Sequence, residues 1–184
     1  MKLSSTAKSR LLQESIAKTT LNVWKNNAER YRVFCLTTKP TSLLMWAHYA
    51  TKHQGLCLEF DATAEKVWRA RRVVYVDKLP LANADMMTNP TALLEASLLT
   101  KSTESSHEDE YRLLARDGSI DPTFSLATEG NFLKLPCGAI TAVIAGSRAN
   151  MDRVREIVRE VAPGLPVKRA VQRAHEYHLD IVED

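Results

Sequence analysis

The sequence predicts an α+β fold: a mixed sheet flanked by helices, closing on a C-terminal strand-helix-strand unit. Three observations predict it. Residues 139–145 form an apolar run, the pattern of a central strand covered on both faces. A helical stripe follows, with Met151, Val154, Val158 and Val161 inward and Arg153, Arg155, Glu156, Arg159 and Glu160 toward water. Elsewhere short segments alternate with period two, as in Leu56, Leu58 and Phe60 against Cys57, Glu59 and Asp61.

The remaining elements follow in order. Residues 6–29 read as a helix with Leu12, Ile16 and Val23 on one face. Tyr31 to Leu36 is a strand. Lys39-Pro40-Thr41-Ser42 turns into a helix over 41–52, and Gly55 admits the strand Leu56 to Phe60. A short helix over 62–70 and one strand over 71–76 come next. Asn89 caps a helix that begins at Pro90, with Leu93, Leu94, Leu98 and Leu99 on its inner side. Residues 102–107 read as a polar loop, Glu108 to Ala115 as a strand, and 119–131 as loop with some extended structure. Pro163-Gly164-Leu165-Pro166 stops the last helix. Strands over 167–171 and 178–182 end the chain, and 139–171 forms a right-handed crossover. The strands are expected to form one sheet system.

At 184 residues one domain is expected, with a helical segment at 1–30 and an α/β body at 31–184. Hydrophobic residues make up 45% and charged residues 26%, so a sizeable core needs no staples. A net charge of +3 is too mild for a nucleic-acid footprint. No apolar run approaches the ~18 residues of a membrane span, and no secretory leader is expected. Cys35, Cys57 and Cys137 are odd in number and lack a Cys-x-x-Cys spacing. They read as small buried residues in a reducing compartment, and the protein as cytoplasmic.

Three constellations stand out as sites. On helix 41–52 the stripe Leu43, Trp46, Ala47 and Ala50 faces the core, and Leu44 and Met45 widen it. His48 and Tyr49 then sit at its margins, where they line a cleft or serve as satisfied structural groups. In Glu108-Asp109-Glu110-Tyr111-Arg112, strand alternation places Glu108, Glu110 and Arg112 on one face. Like charges raise one carboxyl pKa while the arginine lowers its neighbour's, which suits a base or an electrostatic stabiliser. A charged, solvated strand edge has the same pattern. Gly146-Ser147-Arg148 joins a buried strand to a helix, where Ser147 and Arg148 would favour an anion. No phosphate-loop pattern is present, and an ordinary helix start has the same composition. Glu59 joins the ligand-binding candidates from the dense aromatic and titratable stretch between Trp46 and Asp61. The histidines lack metal-ligand spacing, so no metal is expected, and no cofactor is specified.

Phe34-Cys35-Leu36, Leu44-Met45-Trp46-Ala47-His48-Tyr49-Ala50, Gly55-x-x-Leu58-Glu59-Phe60-Asp61, Lys101 and Glu108-Asp109-Glu110-Tyr111-Arg112 together resemble a large bacterial family of domains of unknown function. Its members carry Cys-Phe-Ser, Leu-Met-Trp-Ser-His-Tyr-Ala and Glu-x-Glu-Tyr-Arg, and the resemblance covers residues 31–182. Ser105 stands where the family has Trp. No Tyr/Arg-rich opening strand or Phe-Asn-Asp-Pro motif is found, so the chain is expected to lack the family's N-terminal segment. The family layout is similar to ADP-ribosyltransferase-type domains, and that likeness implies Glu110 as a late glutamate. The resemblance implies a small-molecule- or nucleotide-handling domain, a degenerate or truncated transferase, with Glu110 and His48 catalytic. Tyr49, Glu59, Glu108, Arg112, Ser147 and Arg148 would bind its ligand. The alternative is a non-catalytic binding or regulatory module in a defence or mobile-element system.

Overall fold

The computed structural model describes residues 5–80, 83, 86, 89–118 and 124–184. In chain order its elements are α1 (Ser5–Arg30), β1 (Tyr31–Thr37), α2 (Leu43–Tyr49), β2 (Leu56–Phe60), β3 (Arg71–Arg72), β4 (Val74–Val76), α3 (Pro90–Leu98), β5 (Thr100–Ser102), β6 (Glu110–Arg116), β7 (Leu126–Ala127), β8 (Ile140–Ala145), α4 (Met151–Val161), β9 (Val167–Gln172) and β10 (Leu179–Glu183). Short 3-10 helices occupy Val67–Arg69 and Thr103–Glu108. The fold is α+β, and among the described residues its strands fall into three sheets where one sheet system was expected. The chain forms two compact units. One combines Met1–Leu36 with Ala70–Lys134, the other Thr37–Arg69 with Leu135–Asp184.

In the first unit β6 is central, between β1 and β3, and β7 also pairs with it. Its alternation sorts the core. Leu114 packs with Tyr31, Leu98, Leu99 and Phe124 on one face. Leu113 and Ala115 pack with Leu126 on the other. Glu110 and Arg112 share the parity of Leu114 and so lie on the α3 side. The expected single strand over 71–76 divides at the buried Val73. Val73 N–H donates to the Glu110 carbonyl at 2.9 Å, and Val74 N–H to the Leu99 carbonyl at 2.7 Å. One residue thus hands the chain from β6 to β5, which β4 joins in parallel. Asn89 caps α3 as expected, accepting from Thr91 and Ala92 N–H. Helix α1 packs against α3. Its Leu12 is exposed, contrary to expectation; among the described side chains of α1 Thr20 is buried, and its hydroxyl donates to the Ile16 carbonyl at 2.9 Å.

In the second unit the sheet order is β10-β9-β8-β2. Strand β8 is central, and α4 carries the chain from it to the parallel β9, the strand-helix-strand connection expected from the sequence. The faces of β8 alternate. Ile144 packs under Trp46 and Ala50, while Val143 and Ala145 pack under Val154 and Val158 of α4. Helix α2 is shorter than the 41–52 expected. It ends at Tyr49, and Thr51, Lys52 and His53 turn with φ of 48°, 54° and 69°. Each non-glycine residue in that region costs roughly 1–2 kcal/mol, which the surrounding hydrogen bonds offset. His53 N–H donates to the Trp46 carbonyl and Gly55 N–H to the Ala50 carbonyl. Gly146 is required here by close approach: a Cβ would lie 2.2 Å from the His53 carbonyl oxygen.

Among the described residues no helix is long and apolar enough to cross a membrane. The cysteines depart from expectation. Cys35 and Cys137 are exposed and only Cys57 is partly buried; all are free thiols. Cys137 lies in a turn, and Cys35 sits on β1, whose middle residues are open.

Candidate functional site

The first unit gathers the Glu-x-Glu-Tyr-Arg motif into a charge network. Glu110 is 3% exposed and sits at the start of β6. Arg112 grips it with two bonds, Nε to Oε1 at 2.8 Å and Nη2 to Oε2 at 3.2 Å. The same guanidinium donates through Nη1 to the Leu98 carbonyl at 2.7 Å, tying β6 to the end of α3. Lys101 Nζ bridges Glu110 Oε2 at 3.0 Å and Glu108 Oε2 at 2.6 Å. Tyr75 Oη accepts the Glu110 N–H at 2.9 Å. Two carboxylates thus face two cations in a partly desolvated setting where each charge needs its partner.

The expected strand over 108–115 begins only at Glu110. Glu108 ends a 3-10 helix, and Asp109 takes a left-handed conformation at φ 41°. Lys101 reunites Glu108 with Glu110 despite this break. Asp109 pairs instead with Arg72, at 2.9 Å.

The electrostatics follow from the partners. Burial opposes ionisation of Glu110, but hydrogen bonds from Arg112, Cys35 and Lys101 outweigh it and hold the carboxyl at about 2. Cys35 is exposed as a residue, but partial burial of its thiol and the hydrogen bond to Glu110 push it up to about 11. A thiol so placed is protonated at neutral pH and a weak nucleophile. Alkylation of Cys35 by iodoacetamide at pH 8 should therefore run roughly ten- to a hundredfold slower than that of free cysteine. Glu110→Gln should accelerate it. Equal rates for Cys35 and free cysteine, read by peptide mass spectrometry, would remove the thiol from the network.

Beside the network lies a cleft of about 490 Å³, lined by Arg71, Arg72, Glu95 and Thr100 over Val74, Ala92, Ala96 and Leu99. Its wall is continuous with the network. Arg71 is the register partner of Arg112 on β6, while Leu99 and Thr100 lie between Leu98 and Lys101. Arg71 donates Nη2 to Glu95 Oε1 at 2.5 Å, and its guanidinium lies 5.1 Å from the centre of the Phe124 ring.

The other candidates belong to the second unit. His48 and Tyr49 are exposed on α2, not enclosed at its margins. Leu44, one turn before His48, is exposed too, so that side of the helix is open. Glu59 binds Lys168 Nζ at 3.1 and 3.2 Å and accepts from Thr141 at 3.0 Å. Lys168 also approaches Glu183 at 3.6 Å, so these groups form a charged row across β2, β8, β9 and β10. The hydrogen bond from Lys168 leads in holding Glu59 below its ordinary range. At the start of α4, Arg148 N–H donates to the His53 carbonyl and Ala149 N–H to the Gly146 carbonyl. Asn150 caps Arg153 N–H, and the Ser147 carbonyl accepts from Arg169 at 3.4 Å. These donors are spent within the protein.

The structure therefore brings together Glu108, Glu110 and Arg112, and adds Lys101, Cys35, Tyr75, Arg71 and Glu95. Lys101 and Cys35 lie in the motifs that carry the family resemblance. Arg71 and Glu95 had no sequence signal, since a lone pair of opposite charges 24 positions apart follows no period. Among the described residues no group of three or more His, Cys, Asp or Glu is arranged to hold a metal ion. No family model, no curated protein and no solved structure matches the chain.

Proposed function

We propose that this protein is a small-molecule- or nucleotide-handling domain that works by binding, with its ligand in the cleft of the first unit. The observation that carries this reading is the open cleft of about 490 Å³ whose wall strand β3 pairs with β6, the strand that carries the charge network. Ligand sites typically enclose about 300–1,000 Å³ and combine apolar walls with a few polar groups. The network supports binding over catalysis. A carboxyl held at about 2 is a poor base at neutral pH, and a thiol at about 11 a poor nucleophile. Its role is to fix β6, β5 and the end of α3 behind the ligand wall. The resemblance to the bacterial domain family points the same way on ligand class, and suggests a bacterial, cytoplasmic setting.

Adenosine nucleotides and nucleosides, screened by thermal shift, should include at least one that raises the melting temperature. Ala92→Trp, which fills the cleft from a half-buried position, should abolish that response without unfolding the protein. A response that survives Ala92→Trp would move the site elsewhere. Conversion of the bound compound that Glu110→Gln abolishes would replace binding with catalysis.

A further inference from the structure

We propose that the cleft takes an organic oxyanion, a carboxylate or phosphate monoester on an apolar body, and that Arg71 anchors it by exchanging Glu95 for the ligand. This rests on the binding reading above and names the ligand's chemistry. The cleft lining includes Arg71, the cross-strand partner of Arg112, and the Glu95 carboxylate it pairs with. Guanidinium forks match planar carboxylates and phosphates through paired N–H donors. Arg71 spends one such donor on Glu95, and its guanidinium lies 5.1 Å from the centre of the Phe124 ring, within cation–π range. The pair is half-open: the Arg71 side chain is 36% exposed and that of Glu95 43%. Pairs this accessible contribute little stability, so a ligand oxyanion can take the place of Glu95 at small cost.

Arg112 shows the contrast. It is the cross-strand partner of Arg71, but its side chain is only 16% exposed and grips Glu110 with two bonds. Of two adjacent arginines, one is locked and the other is exchangeable. Arg72, next along the strand, alternates to the other face, where its 67% exposed side chain pairs with Asp109. The floor of Val74, Ala92, Ala96 and Leu99 offers carbon to the body of the ligand.

Calorimetric titration with benzoate, phenyl phosphate and neutral benzamide tests this, with amide NMR shifts to locate the site. Adenosine monophosphate against adenosine forms a second pair. The anions should bind more tightly than their neutral counterparts and weaken with added salt. The preferred one of benzoate and phenyl phosphate identifies carboxylate or phosphate as the source. Arg71→Gln should weaken the anions at least about tenfold and leave benzamide unchanged. Glu95→Gln removes the competing carboxylate and should tighten the anions several-fold. Opposite signs for the two halves of one ion pair are not expected if the pair only supports the fold. If Arg71→Gln fails to fold, the Glu95→Gln result decides: unchanged or weaker anion binding overturns the proposal. Equal binding of neutral and anionic probes at the cleft overturns the oxyanion and leaves the binding reading intact. If no probe shifts the cleft resonances, the binding reading falls and this proposal with it.

Discussion

Arg112→Ala should destabilise the protein by about 3–5 kcal/mol in chemical denaturation, the cost of stranding a buried charge. The substitution removes both bonds to Glu110 and the bond to the Leu98 carbonyl. The carboxylate keeps Lys101 Nζ, but that ammonium is already shared with Glu108. Glu110→Gln should be milder, because the amide keeps the shape and one accepting oxygen. It still leaves two cations facing one carboxylate. A change below about 1 kcal/mol for Arg112→Ala would identify the network as a solvated surface feature.

The same network sets a pH dependence with a defined sign. The Glu110 carboxyl lies at about 2 in the folded protein against an ordinary 4.5. A depressed carboxyl contributes stability above its unfolded pKa, and that contribution is lost as pH falls through the folded value. Glu110 should therefore contribute on the order of 3 kcal/mol near neutral pH, lost progressively between about pH 5 and pH 2. Denaturation midpoints measured across that window should fall more steeply in the parent protein than in Glu110→Gln. Parallel curves would show that the carboxyl titrates normally.

The parts legible in the sequence are those that a local period encodes. The apolar run 139–145 became the central β8, and of the expected stripe Met151, Val154, Val158 and Val161 the first three turn inward on α4, while Val161, at the last turn, is exposed. The Asn89 cap was readable because its hydrogen bonds reach only two and three residues ahead. Other features depend on partners distant in the chain. The handover at Val73 exists because Glu110 and Leu99 carbonyls stand on either side of it. Residues 102–107 read as a polar loop and Glu108 as the start of a strand, yet Thr103–Glu108 form a 3-10 helix that delivers Glu108 to Lys101. Lys101 itself sits in a three-residue strand, Thr-Lys-Ser, with no apolar alternation to mark it. Leu44, apolar but exposed, leaves His48 open one turn later, which residue type alone does not reveal. Apolar residue type is a weaker guide than the stripe, which correctly selected Trp46 and Ala50.

Trp46→Ala should cost about 3–5 kcal/mol, the range for deleting a large buried side chain and leaving a cavity. Trp46 is 3% exposed and packs with Ala50, Ile144, Ala170 and Leu179. Ile144 and Ala170 lie on β8 and β9, so the indole seals α2 onto two strands at once. Its Nε1–H donates to the Pro40 carbonyl at 2.7 Å, which also holds the turn before α2. Alanine would remove both the packed ring and the donor. Two further variants separate these contributions. Trp46→Phe keeps most of the apolar contact and loses the hydrogen bond, so it should cost less than Trp46→Ala by the value of the missing packing. Ile144→Ala opens the same contact from the strand side while leaving the Pro40 bond intact. If the helix and sheet share one packed layer, Trp46→Ala and Ile144→Ala should be less than additive in the double variant, because they delete the same contact. Strict additivity, or a loss below about 1 kcal/mol for Trp46→Ala, would show that α2 is held to the sheet by something other than this ring.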